Sequence, residues 1–300
     1  MNLDRLPEDC FAHILSLTSP QDACRSSLAS SCVRAMADSD SLWDHFLPSD
    51  LKEILSRLVF PIVYSSNKQL FFKLCSPCLI DGGGGSNMNS SDKSSYLLRC
   101  LLLLKWLILE KSTNKKCIML SARELSITWA SHPLYWTWKP IPESRFAEVA
   151  ELITMWWLEI CGTVNTKMLS PNTLYTAYMV VRFADRAYGL DFLPSEVSVE
   201  VGDFKAVGKV NLSPQEGRRK HYFQRVHFLK EMGALRSRLL KDEESIVFGE
   251  GDNGWIKIEL GSFFNNCNGE ELKISLREVK GQHLRGGLIV EGIEIRPKHH

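Results

Sequence analysis

A change of period along the chain constrains its fold more than any other feature. Cys10, Phe11, Ile14 and Leu15 stand at i, i+1, i+4 and i+5. Leu51, Ile54, Leu55 and Leu58, then Leu70, Phe71 and Leu74, follow the same spacing, and each set makes one apolar face of a helix. From Cys117 onward the period shifts toward two. Tyr175, Ala177, Met179, Val181 and Phe183 alternate with Thr176, Tyr178, Val180 and Arg182. Trp156, Leu158 and Ile160 alternate with Trp157, Glu159 and Cys161, Ile256, Ile258 and Leu260 with Trp255, Lys257 and Glu259, and Leu272, Ile274 and Leu276 with Lys273, Ser275 and Arg277, while Ile293 and Ile295 flank Glu294. Such alternation describes antiparallel strands with one face on a core and one in water. Several of them within roughly 180 residues predict a sandwich or jelly roll. The expected class is α+β, a small all-α helical module followed by an all-β, jelly-roll-like sandwich.

Between the two regimes lies Asp81 to Asp92, rich in glycine, serine and asparagine. A stretch with so little to bury and so much entropy to lose is expected to be a flexible linker. The leucine-rich run from Leu97 to Leu109 is interrupted by Arg99 and Lys105. It is shorter than the roughly 20 residues a spanning helix needs, so it reads as core and no membrane role is expected. A formal net charge of +1 over 300 residues gives no field to gather phosphate, and nucleic acid is not an expected partner. The N-terminus has no basic region leading into an apolar core and cleavage site. Nine irregularly spaced cysteines then read as reduced thiols, in a cytoplasmic and/or nuclear protein.

The first residues carry a specific pattern. Pro7 suits the first helical position, Glu8 and Asp9 complement the positive end of the helix dipole, and Ser19-Pro20 starts a second helix. A segment this small buries little by itself, so part of its apolar surface is expected to belong to another protein. Leu6-Pro7-Glu8-Asp9, Ile14-Leu15, Leu17, the Asp22 turn and Ser41-Leu42-Trp43 resemble the F-box, a helical module that docks on a Skp-type adaptor of cullin ubiquitin ligases. The resemblance implies adaptor contacts by Leu6, Pro7, Ile14, Leu15 and Leu17, and through the adaptor a cullin.

A second constellation is aromatic: Trp129, Tyr135, Trp136 and Trp138, with Pro133 among them. These rings fill a sandwich core or form a platform on which the C–H-rich face of a sugar stacks. Leu120 to Trp129, Tyr135-Trp136-Thr137-Trp138, Pro142 to Leu152, Leu174 to Tyr178, Asp252 to Trp255, Glu278 to Gly281 and Gly287 to Pro297 together resemble the phloem-protein-2 type, Nictaba-like lectin domain. That resemblance implies binding of N-acetylglucosamine-containing glycans or glycoproteins by Trp129 and Trp136. It divides the chain into an F-box at 1–47, a helical and Gly/Ser-rich linker at 48–116, and a lectin β-sandwich at 117–298. The family usually passes almost directly from Leu79-Ile80 to a stretch matched by Leu107 to Ser112, so an atypical insertion, for instance a retained intron, is expected near 86–105.

No catalytic constellation is found. Cys75-Ser76-Pro77-Cys78 has half the ligands of a structural zinc site, and His221 and His227 do not complete it. The glycine run from Gly82 to Gly85 lacks the Gly-Lys-Ser/Thr of a phosphate loop. No cofactor, metal or enzymatic activity is expected. The function implied is the substrate-recognition subunit of a Skp–cullin–F-box ubiquitin ligase, with glycans or glycoproteins as its targets. The alternatives are a carbohydrate-binding protein without a ligase role, and a protein-binding sandwich with a vestigial sugar site.

Overall fold

The computed structural model describes residues 8–80, 105–212, 248–250, 254–266, 268–281 and 283–298. Leu6 and Pro7, the Gly/Ser-rich stretch, residues 86–104 of the expected insertion and the two histidines His221 and His227 lie outside the described residues. The chain divides into two compact units, Met1–Met119 with Met168–Pro171, and Leu120–Lys167 with Asn172–His300.

The first unit is built mainly from helices: α1 (Glu8–Ser16), α2 (Pro20–Ser26), α3 (Ser31–Ala37), α4 (Asp40–Phe46), α5 (Leu51–Ser56) and α6 (Asn67–Leu74). Serines set three of their starts. Ser19, Ser30 and Ser66 take extended backbone, and their side chains accept from the amides of Asp22, Val33 and Gln69. Each cap satisfies a donor that the first helical turn leaves unpaired. Trp43 of α4 is fully buried and ties the helices together. Its Nε1 donates to the Ala37 carbonyl at 2.7 Å, and its ring lies 5.5 Å from Phe46 and 5.2 Å from Phe71 of α6. Helix α5 ends before the stripe from Leu51 to Leu58 does; Leu58 instead forms an isolated bridge with Ile80.

Three strands follow: β1 (Cys78–Ile80), β2 (Lys105–Leu109) and β3 (Lys116–Ser121), the last straddling the division between the units. The end of the leucine-rich run is therefore a strand, and Leu107 and Leu109 are core residues. The Lys116 ammonium is buried against Asp50 at 2.8 Å, and its amide donates to Ser170 Oγ at 3.0 Å. Among the described residues no helix is long and apolar enough to cross a membrane.

The second unit holds β4 (Ser126–Ile127), β5 (Trp136–Lys139), β6 (Val149–Leu152), β7 (Leu158–Asn165), β8 (Thr173–Tyr188), β9 (Ser195–Val201), β10 (Phe204–Val210), β11 (Phe248–Glu250), β12 (Ile256–Asn265), β13 (Glu271–Glu278) and β14 (Gly286–Pro297). One antiparallel sheet runs β5-β6-β14-β8-β12-β11, and the other runs β10-β9-β13-β7-β4. They pack face to face. Val199 of β9 lies beneath Gly261 of β12, and Ile293 of β14 lies beneath Gly162 of β7. The fold class is α+β, helices first and an antiparallel β-sandwich after them. One expectation changes in detail. Strand β14 has no polar outer face, because its residues are buried on both sides except Arg296. Glu294 is held there by Lys257 at 2.7 Å, with Arg296 at 3.6 Å.

Candidate functional site

Two surfaces carry the residues singled out in the sequence. The first is the end of α1. Ile14 and Leu17 are 47% and 75% exposed, whereas Leu15 is 3% exposed. Adjacent helical positions diverge by about 100°, so Leu15 turns into the core that Ile14 avoids. Leu15 thus packs within its own unit, and the apolar groups offered outward are Ile14, Leu17 and, after the turn that ends α2, Leu28.

The second surface is the loop between β4 and β5. Ile127 ends β4, and the chain turns at once: the Ala130 amide donates to the Ile127 carbonyl at 3.1 Å, and the His132 amide to the Trp129 carbonyl at 2.9 Å. Trp129 sits in this turn with φ +56°. Left-handed backbone is unusual for a bulky residue and costs on the order of 1–3 kcal/mol. The side chain it displays is 45% exposed. The Tyr135 ring lies 5.3 Å away, and Trp156 meets Trp129 edge-on at 6.4 Å. His132 in turn lies 4.9 Å from Tyr135.

Trp136 lies in a different place from Trp129. It is 2% exposed, inside the sandwich end. Its Nε1 donates to the Thr128 carbonyl at 3.1 Å. A ring so enclosed has no face for a ligand, so Trp136 supports the loop from behind while Trp129 faces solvent. The pair of indoles expected to share one stacking surface is split between those two tasks.

Polar groups stand beside the aromatic surface. Glu159 of β7 accepts from Trp157 Nε1 at 3.3 Å and from Thr128 Oγ1 at 3.5 Å, and pairs with Arg277 of β13 at 2.9 Å. The hydrogen bond from Arg277 to the Cys161 thiol, 3.9 Å long, together with Glu159 and Glu200, holds the guanidinium above its usual range. A fixed cation and a carboxylate side by side can donate to and accept from neighbouring hydroxyls. Trp156, Trp157, Glu159 and Arg277 are candidate site residues that the sequence pattern did not single out. The doublet Trp156-Trp157 was legible only as part of an alternating strand. In fact β7 begins after it, and both rings are left at the surface.

A buried ion pair anchors the backbone just before this doublet. Arg285 and Glu278 are both nearly inaccessible and bonded to each other, and Glu278 also accepts from the amides of Lys280 and Gly281. The Arg285 amide and carbonyl both bond Met155, at 2.8 and 2.9 Å, immediately before Trp156. No group of three or more metal-binding side chains occurs among the described residues.

Both parts of the chain match known families. Residues 115–297 match the family described as Phloem protein 2, and residues 3–49 the family described as F-box-like. F-box protein PP2-B15 of Arabidopsis thaliana is 39% identical over 98% of this chain and 96% of its own length. F-box protein At2g02240 of the same plant is 39% identical over 98% of this chain and 80% of its own length. Among solved structures, a family 35 carbohydrate binding module from Clostridium thermocellum is 8% identical with a TM-score of 0.31, covering 60% of this chain and 96% of that one. The chain belongs to the phloem protein 2 family, in the group that carries an F-box-like module ahead of the phloem protein 2 domain.

Proposed function

We propose that the protein is the substrate-recognition subunit of a Skp–cullin–F-box ubiquitin ligase. In this reading its β-sandwich binds N-acetylglucosamine-containing glycans or glycoproteins in the cytoplasm or nucleus. The single observation that carries the sugar reading is the Trp129 indole, exposed on a strained turn beside Tyr135 and Trp156. Strained backbone that presents a large apolar ring to water favours no aspect of folding, and such outliers cluster at ligand sites. The Glu159–Arg277 pair, bonded through Glu159 to Thr128 immediately before Trp129, would supply hydroxyl partners. Leu6, Pro7, Ile14 and Leu17 form the adaptor contact, each buried aliphatic contributing about 1.5–3 kcal/mol before the costs of association.

The chain breaks no bond in this scheme. It holds a glycosylated target near the ubiquitin-loading enzyme, and proximity accelerates transfer. A single sugar contact has a Kd on the order of mM to μM, so clustered glycans raise the avidity.

The test is a glycan array probed with the full chain and with Trp129→Ala. Retention on chitin-type oligomers that drops about tenfold or more in the variant is the expected outcome. Absence of wild-type signal on every glycan would replace the sugar reading with the protein-binding one.

A further inference from the structure

Trp129 is the only described non-glycine residue in the β4–β5 loop with positive φ, and something must hold it there. The two carbonyls flanking its peptide units are both captured by indole N–H groups from one strand. Trp136 Nε1 donates to the Thr128 carbonyl at 3.1 Å, and Trp138 Nε1 to the Ala130 carbonyl at 3.0 Å. The spacing matches on both sides: donors two residues apart on β5, acceptors two residues apart on the loop. Side chains at i and i+2 of a strand share a face, so both indoles point to the same loop. In β5 this register is fixed by pairing with β6, Trp136 opposite Leu152 and Trp138 opposite Ala150.

Trp138 is itself clamped. The Arg123 guanidinium lies over its ring at 3.6 Å, and Arg123 is paired with Glu148, which accepts its Nε at 3.2 Å. Arg123 comes from the turn just before β4, and Glu148 from the residue just before β6. These two side chains therefore tie the turn before β4 and the start of β6 to the Trp138 ring.

We infer that Trp138, set by Arg123 and Glu148, is a positioning residue for the Trp129 indole, acting with Trp136 through the two carbonyls on either side of the strained turn. Neither Trp136 nor Trp138 touches ligand in this arrangement. Their N–H groups compensate the left-handed backbone and present the exposed ring in one orientation, so less conformational freedom is lost on binding. The inference rests on the proposed reading of Trp129 as the ligand contact, but its structural half is measurable without ligand.

The experiment uses the full chain with Trp138→Phe, which keeps an aromatic ring and removes the N–H. Amide hydrogen exchange is read at Ala130 and His132, whose bonds to the Ile127 and Trp129 carbonyls define the turn. Exchange at these two amides should speed up about tenfold while those of β8 and β12 keep their protection. Chitotriose affinity should fall about fivefold to tenfold, the worth of one buried hydrogen bond. In the Trp129→Ala background, adding Trp138→Phe should change residual chitotriose binding by less than about twofold, since the two residues act through one contact. Arg123→Gln, which keeps the indole N–H and removes the cation, should move the same two amides in the same direction by less, and it stands in if Trp138→Phe does not fold. Unchanged exchange at Ala130 and His132 in both variants overturns the positioning role whatever the sugar result. Accelerated exchange with no chitotriose binding by any form, wild type included, upholds the brace and removes the sugar reading alone.

Discussion

A carboxylate with no exposed surface survives only if donors replace its water, and Glu291 of β14 has them. It accepts from Ser144 Oγ at 3.1 Å, from the Arg145 amide at 2.7 Å and from the Arg145 guanidinium at 2.9 Å. All three donors belong to one loop, so a single side chain fixes the path from β5 to β6. Removing it leaves the Ser144 hydroxyl and the Arg145 amide without their acceptor, and leaves the half-buried Arg145 guanidinium with Glu294 at 3.9 Å. Glu291→Ala is expected to lower the unfolding free energy by about 2–3 kcal/mol, read as a shift in the urea midpoint, with Glu291→Gln falling between. The cysteines offer a second test at this scale. Burial pushes the Cys75 thiol up to about 12, against a partial offset from Lys111. Thiolate is the nucleophile, so Cys75 should resist iodoacetamide at pH 8 while the exposed Cys10 and Cys32 are labelled. Its labelling rate should climb about tenfold per pH unit until the pH nears that value. The raised value also makes the thiol's contribution to stability complete below pH 9 and lost as the pH rises toward 12.

Strand β14 organises the sandwich, with β8 along one edge and β6 along the other. Its register against β8 shifts between Val290 and Gly292, a bulge that adds twist. A Cβ at Gly292 would overlap the Leu120 carbonyl oxygen, which is rigid backbone, whereas at Gly162 it would meet only the tips of Ile293, Leu125 and Leu120. Gly292→Ala is therefore expected to cost about 3 kcal/mol or more and Gly162→Ala about 1, compared by thermal denaturation of the full chain. Much at this scale was legible. The stripe Leu70, Phe71, Leu74 gave α6, and the alternation at 256–260 and 272–276 gave β12 and β13. Glu294 misled because a charged residue between two isoleucines signals an exposed face, and only a partner distant in sequence, Lys257, makes it an interior one. Trp136 and Trp129 look alike as residue types. Their difference in exposure comes from the positive φ of one and the strand pairing of the other, and neither is written in local composition.

At the scale of the whole chain, two kinds of contact with different physics are assigned to two separate units. Apolar burial at the end of α1 scales with area and is insensitive to sugar. In the proposed function, stacking on Trp129 would depend on a single ring and its brace. Each capture is then removable without the other. Leu17 is 75% exposed and makes no core contact, so Leu17→Asp should leave folding within about 0.5 kcal/mol of wild type, as surface changes do. Its loss of apolar burial, with a carboxylate forced against an apolar partner, should weaken capture of a Skp-type adaptor by about tenfold or more. Chitin-column retention of the same variant should match that of wild type. Trp129→Ala should show the reverse pattern, adaptor capture intact and retention lost. A Leu17→Asp chain that keeps its adaptor would mean that Ile14 and Leu17 are ordinary solvated positions. The adaptor contact would then have to lie elsewhere in the helical unit.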